Sequence, residues 1–261
     1  MKHIPRKRFG QNFLTDEVVL HDIIRAIGPQ PDDAMVEIGP GLGAMTRLLL
    51  ASLKQLHVVE LDRDLVARLQ RSFDPAKLIV HAGDALAFDF AALPVPAGRK
   101  LRVVGNLPYN ISSPLLFHLT AIAPLVGDQH FMLQKEVVER MVAQPGGKEF
   151  GRLSVMLQWR YHMELLFIVP PEAFNPPPRV ESAIVRMIPI ADPLPCDAAA
   201  LERVVVKAFS QRRKVIRNCM AGMATEHDLI EAGIDPQARP EAVPMEQFVA
   251  LTNRLENNRA A

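Results

Sequence analysis

The sequence predicts an α/β fold, a parallel sheet covered by helices on both faces, followed by a small all-helical domain. Three observations carry this. From Met35 to Ala143 short apolar runs alternate with helix-length segments, the pattern of right-handed βαβ crossovers. Four of the runs end in glycine or a polar residue, at Gly39, Glu60, Gly83 and Gly105 with Asn106. Beyond the proline-rich stretch Pro189 to Pro195 the pattern is helical to the end.

Taken in order, Thr15 or Asp16 caps a helix running to about Ile27, whose apolar stripe is Val18, Val19, Ile23 and Ile24. Met35–Ile38 reads as a strand, Ala44–Leu53 as a helix, His57–Leu61 as a strand and Arg63–Ser72 as a helix. Leu78–His81 and Val103–Leu107 are the next strands. Pro114–Ile122 then reads as a helix, Phe131–Gln134 as a strand and Val137–Ala143 as a helix. A further helix is expected over Arg152–Trp159, and two late strands, Leu165–Val169 and Ala183–Ile188, form a hairpin at the sheet edge. The last helices are expected over Ala198–Ser210, Val215–Met223, His227–Ala232 and Met245–Leu255. The expected domains are therefore 1–190, binding a nucleotide-like ligand, and 191–261, helical.

The chain has 261 residues, 49% hydrophobic and 23% charged. That is enough apolar material for a sizeable core and excludes global disorder. Cys196 and Cys219 are the only cysteines. They build neither a disulfide framework nor a four-cysteine zinc site, and they fit a reducing, cytoplasmic location. No HExxH or paired-histidine spacing occurs, so no metal is expected. The uncharged stretch Val103–Gly127 contains Pro108, Pro114 and Pro124 with several polar residues, so it is not a membrane-spanning helix. The net charge of +1 conceals two basic segments. Residues 1–14 sum to +4 and residues 201–220 to +5, which leaves −8 for the rest. Local potential rather than net charge governs binding to phosphates, so these segments are candidate polyanion contacts.

The first strand turns into its helix through Glu37-Ile38-Gly39-Pro40-Gly41-Leu42-Gly43. Glycines there let the backbone approach a ligand closely, and the helix start presents unpaired N–H groups. The spacing GxGxG departs from the dinucleotide pattern GxGxxG. Glu60 ends the second strand, where a carboxylate accepts both hydroxyls of a ribose, and Asp84 follows the third, where it accepts from an adenine amino group. With Asn106 after the fourth strand, these residues surround one nucleoside-sized crevice.

Asn106-Leu107-Pro108-Tyr109 is the most specific feature. An exocyclic aryl amine is a poor nucleophile because its lone pair is delocalised into the ring. Transfer onto it needs acceptors that draw its hydrogens toward a tetrahedral arrangement. The Asn106 side-chain oxygen and the Leu107 carbonyl are suited to that role, since Pro108 disfavours helical geometry at Leu107. Tyr109 offers a flat face for stacking. Catalysis then consists of positioning and electrostatics.

These motifs, together with Arg8-Phe9-Gly10-Gln11-Asn12-Phe13-Leu14, Gln134-Lys135-Glu136-Val137 and Phe174-Asn175-Pro176-Pro177-Pro178-Arg179-Val180-Glu181-Ser182, give the chain a close resemblance to the ribosomal RNA adenine dimethyltransferases. It is most similar to the bacterial small-subunit branch. The resemblance implies a Rossmann-like methyltransferase sheet and S-adenosylmethionine as methyl donor. The implied acceptors are two adjacent adenosines of the 3′-terminal hairpin of small-subunit rRNA, each dimethylated at N6. By motif position it implies cofactor contacts at Asn12, Leu14, Gly39, Glu60, Asp84 and Asn106. It also implies that Tyr109 and Phe174 sandwich the target adenine, which must be splayed out of its stack.

Arg212, Arg213, Lys214 and Arg217 then read as phosphate contacts, and Arg6, Lys7 and Arg8 as a second set near the entrance to the crevice. The expected partner is small-subunit rRNA within an assembling small ribosomal subunit, bound by a monomer. Two other readings remain at this point. One is a methyltransferase of large-subunit rRNA or of DNA, the latter disfavoured by Leu107-Pro108 followed by Asn110 in place of a Pro-Pro pair. The other is a mainly non-catalytic assembly factor.

Overall fold

The computed structural model describes residues 12–211 and 213–260. β1 (Phe13–Leu14) leads into α1 (Glu17–Ile27), which Asp16 caps by accepting from the N–H groups of Val18 and Val19 at 2.8 and 3.1 Å. The alternating series follows: β2 (Ala34–Ile38), α2 (Ala44–Ser52), β3 (Leu56–Glu60), α3 (Arg63–Ser72), β4 (Leu78–Ala82), β5 (Leu101–Asn106) and α4 (Ser112–Thr120). β6 (Val126–Gln134), α5 (Lys135–Val142), α6 (Arg152–Gln158), β7 (Tyr161–Val169), β8 (Phe174–Asn175) and β9 (Ser182–Pro189) come next. The remaining helices are α7 (Ala198–Ala208), α8 (Ile216–Cys219), α9 (Glu226–Glu231) and α10 (Met245–Ala260).

The chain forms two compact units. One comprises the described residues up to Val138 together with Met163–Pro189, and the other Glu139–His162 together with Ile190 onward. The second unit thus takes residues 139–162, which the sequence had assigned to the first domain.

Seven strands form one sheet in the order β4-β3-β2-β5-β6-β9-β7. The pairs from β4 through β6 are parallel, and β6 pairs antiparallel with β9. Because the chain builds β2, β3 and β4 outward and then returns to the other side of β2 with β5, the order reverses between β2 and β5. A crevice opens at the carboxyl ends of strands at such a reversal. The sheet is held from one face by a cluster that includes Leu20 and Ile23 of α1, Leu49 of α2, Leu69 of α3, Val104, Met132 and Ile184.

β6 begins at Val126, five residues before the expected start. Its first half carries Asp128, Gln129 and His130, and polar residues there conceal a buried strand. Arg102 of β5 resolves the paradox. Its guanidinium donates to both oxygens of Asp128, at 2.9 Å to each, to Asp33 at 2.6 Å and to the Ile27 carbonyl at 2.5 Å. The charges are thereby paired and hydrogen-bonded, which makes their burial tolerable.

In the second unit α10 packs on α7 and α9. Thr225 and Asp228 form a reciprocal capping box at the start of α9, and Asp228 also accepts from Arg254 Nε at 2.8 Å. α8 is a single turn, shorter than expected, and Arg217 and Cys219 lie on it.

Candidate active site

A cavity of about 160 Å³ lies at the carboxyl ends of β2 to β5. Its floor is the turn after β2. Gly41 there has φ 58°, a left-handed conformation that glycine adopts without a Cβ penalty, and a Cβ would also meet the Phe13 ring at 3.1 Å. The Gly41 N–H donates to Glu60 Oε2 at 3.2 Å, and the Asp62 N–H donates to Glu60 Oε1 at 2.9 Å. Glu60 is 7% exposed. Burial pushes its carboxyl upward in pKa, while the two backbone donors pull it back. Asp84 stands exposed on the rim, with Oδ1 accepting from the Leu86 N–H at 2.9 Å.

At the end of β5, Gly105 faces Ile38 across the ladder, and a Cβ would lie 2.5 Å from the Ile38 carbonyl oxygen. Only glycine lets β2 and β5 close at this level. The next residue, Asn106, donates from Nδ2 to the Asn12 carbonyl at 3.2 Å. That contact fixes the amide, and among the described residues no donor takes its Oδ1. Leu107 donates its N–H to the Met132 carbonyl at 3.1 Å, and among the described residues its own carbonyl receives no hydrogen bond. The Pro108 carbonyl accepts from the Ile111 N–H at 3.1 Å and the Ser112 hydroxyl at 3.0 Å. Tyr109 is half-buried, with its hydroxyl 2.7 Å from Ser182 Oγ. Burial raises its phenol pKa, so it stays protonated.

Asn12, Leu14, Gly39, Glu60, Asp84, Asn106, Leu107, Pro108 and Tyr109 all line this cavity. Phe174 does not. It is 4% exposed, pairs opposite Leu14 in the two-residue ladder between β1 and β8, and lies in the core cluster. Its neighbours in that cluster include Leu14, Met132 and Ile184, which line the cavity. Arg213, Lys214 and Arg217 are exposed in the second unit, Arg217 at 3.2 Å from Glu226. Arg6, Lys7, Arg8 and Arg212 lie outside the described residues.

Three cavity or site residues have no individual role in the sequence pattern, although Glu37 and Ser182 stand within its motifs. Glu37 is 1% exposed, accepts from the Thr46 hydroxyl at 2.6 Å and is pushed up to about 8, first by burial and further by Glu60. An acid inside the run Met35–Ile38 was the available signal. His130 is 3% exposed, neither ring nitrogen has a hydrogen-bond partner among the described residues, and burial pushes it down to about 4. It shares a face with Met132 by strand alternation, which the concealed start of β6 hid. Ser182 was legible only as part of a motif, and nothing in the sequence pairs it with Tyr109. Among the described residues no group of three potential metal ligands converges.

The family model for ribosomal RNA adenine dimethylase matches residues 2–257. Two relatives named ribosomal RNA small subunit methyltransferase A, from Janthinobacterium sp. (strain Marseille) and Herminiimonas arsenicoxydans, are each 77% identical over 255 residues, which cover 98% of this chain and all of each relative. Among solved structures, a dimethyladenosine transferase from Plasmodium falciparum aligns with a TM-score of 0.77 at 25% identity, covering 95% of this chain and 98% of that one. The 23S rRNA methyltransferase ErmE aligns with a TM-score of 0.71 at 26% identity, covering 94% of this chain and all of that one. With its glycine turn, buried Glu60 and Asn106–Tyr109 segment gathered at one crevice, and a family match over nearly its whole length, this chain belongs to the ribosomal RNA adenine dimethylase family.

Proposed function

We propose that this protein dimethylates N6 of two adjacent adenosines in the 3′-terminal hairpin of small-subunit (16S) rRNA, with S-adenosylmethionine as donor. The observation that carries this is the Asn106–Tyr109 segment, where an amide oxygen, a backbone carbonyl and an aromatic face stand together at a nucleoside-sized crevice.

The residues present fit a nucleoside donor. Glu60 has a buried, backbone-anchored carboxylate for a ribose diol, and Asp84 is an acceptor on the rim for an adenine amino group. Gly39 and Gly41 leave room for close backbone approach. Bound S-adenosylmethionine supplies an electrophilic methyl group on a cationic sulfur. The protein's own contribution is to the acceptor. Asn106 Oδ1 and the Leu107 carbonyl take hydrogen bonds from the N6 amine, which directs its lone pair out of the ring's conjugation. The Asn12 carbonyl holds the Asn106 amide in the productive orientation. Tyr109 stacks on the adenine, which must leave its own stack to enter. No strong base is required, since the methylated amine is acidic enough to release its proton to water.

The two relatives at 77% identity carry a small-subunit name, whereas the large-subunit enzyme aligns at 26%. That difference favours small-subunit rRNA as substrate. The protein acts as a monomer in the cytoplasm on an assembling small subunit and contributes to its biogenesis. Arg213, Lys214 and Arg217 contact rRNA phosphates, with Arg212 and the Arg6 to Arg8 segment as further contacts. No helix among the described residues is long and apolar enough to cross a membrane. Replacing Tyr109 with Ala is expected to lower methyl transfer on the order of 100-fold while donor affinity is kept. Full activity in that variant would refute the assignment.

A further inference from the structure

Tyr109 is fixed from two sides. Its backbone lies in the turn closed by the Pro108 carbonyl, which accepts from Ile111 at 3.1 Å and from Ser112 at 3.0 Å. Its hydroxyl meets Ser182 Oγ at 2.7 Å. Ser182 is completely buried and begins β9, opposite Gln134 at the end of β6. The adjoining residues close the same end of the ladder. The Lys135 N–H donates to the Glu181 carbonyl at 3.0 Å, and Lys135 Nζ pairs with Glu181 Oε2 at 2.7 Å. A hydroxyl set in so tightly tied a strand end has little freedom, and it transmits that restraint to the far tip of the Tyr109 ring.

We infer that Ser182 is a positioning residue that fixes the plane of the Tyr109 ring, and that its effect falls mainly on the second methyl transfer to each adenosine. The inference rests on the role of Tyr109 in the proposed function. At each transfer N6 forms a bond to the incoming methyl carbon, the donor's carbon–sulfur bond breaks with its electron pair left on sulfur, and one N6 proton goes to water. Before the first transfer N6 carries two hydrogens, one for Asn106 Oδ1 and one for the Leu107 carbonyl. After it N6 carries one hydrogen and a methyl group, so one of the two polar anchors is lost. Placement of the base then depends more on stacking against Tyr109. A loosened ring therefore slows the second transfer more than the first.

The experiment measures the ratio of N6-methyladenosine to N6,N6-dimethyladenosine formed on undermodified small subunits by wild-type protein and by Ser182→Ala, Tyr109→Phe and the double variant. Each change deletes the same hydrogen bond. The expected result is accumulation of the monomethylated nucleoside, with the second step slowed about tenfold and the first less than about threefold. The double variant is expected to match either single within about twofold, and Ser182→Thr, which keeps a hydroxyl, to recover dimethylation. A general folding defect lowers both steps together and leaves the ratio unchanged when samples are compared at equal total methyl incorporation. Should Ser182→Ala not fold, Tyr109→Phe carries the same test. A wild-type ratio in both single variants, or multiplied effects in the double, overturns the inference. If Tyr109→Ala loses transfer in that case, only the role of Ser182 has failed. If Tyr109→Ala remains fully active, the underlying assignment of Tyr109 has failed with it.

Discussion

Replacing Glu37 with Gln gives a stability change whose sign and pH dependence follow from the structure. Glu37 is almost fully buried on β2, and its carboxyl is pushed from 4.5 up to about 8. Between these values the folded chain holds a proton at this site that the unfolded chain has released. The folded pKa is raised, so the contribution of Glu37 to stability is fully present below 4.5 and is lost as pH rises through 8. The slope is about 1.4 kcal/mol per pH unit for one such group. Glutamine cannot ionise, and its amide oxygen still accepts from Thr46. The stability of Glu37→Gln relative to wild type is therefore expected to rise by about 3 kcal/mol between about pH 5.5 and about pH 7.5. His57, His81 and His130 are held below their ordinary values by burial. They destabilise the fold in the opposite direction, as pH falls, but they occur in both proteins and cancel in the difference. Urea unfolding followed by circular dichroism at the two pH values makes the measurement. A difference that does not change with pH would show that Glu37 is ionised in the folded state, contrary to the effect of its burial.

Gly105→Ala places a Cβ 2.5 Å from a backbone oxygen of β2. It is expected to cost about 1–3 kcal/mol in urea unfolding and to weaken donor binding in calorimetry; unchanged values for both would contradict the close approach of β2 and β5. Arg102→Met strands Asp33 and Asp128 without their cation and is expected to cost about 3–5 kcal/mol by the same unfolding assay. A loss below about 1 kcal/mol would show that water already screens the cluster. Reversing charge at both Arg213 and Lys214 is expected to weaken small-subunit binding at least about tenfold near 0.1 M salt and to flatten its salt dependence. Donor affinity should stay within about twofold, and equal loss of both affinities would contradict a role confined to phosphate contact.

The parts of the site that the sequence revealed share a physical reason. Gly39, Glu60, Asp84 and Asn106 each stand at or just past the end of an apolar run, and a parallel sheet brings consecutive strand ends to one edge. Local pattern plus handedness was enough to gather them. What stayed hidden depends on contacts between distant residues. The first half of β6 looked polar because Asp128 is neutralised by Arg102, 26 residues away. β1 and β8 are two-residue strands that exist only through their mutual pairing across the fold, and that pairing sets Phe174 opposite the cavity-lining Leu14. Ser182 meets Tyr109 across 73 residues, a contact that no periodicity encodes. Residues 139–162 carry ordinary helical and strand patterns, and only their packing assigns them to the second unit.

The proposed activity is the transfer of two methyl groups to N6 of each of two adjacent adenosines in small-subunit rRNA. Undermodified small subunits incubated with the purified protein and labelled S-adenosylmethionine test it most directly, with nucleoside analysis and mapping of the modified positions. Label is expected in N6,N6-dimethyladenosine at two adjacent positions of the 3′-terminal hairpin. Label confined to large-subunit rRNA, or absent from N6 of adenosine, would contradict it.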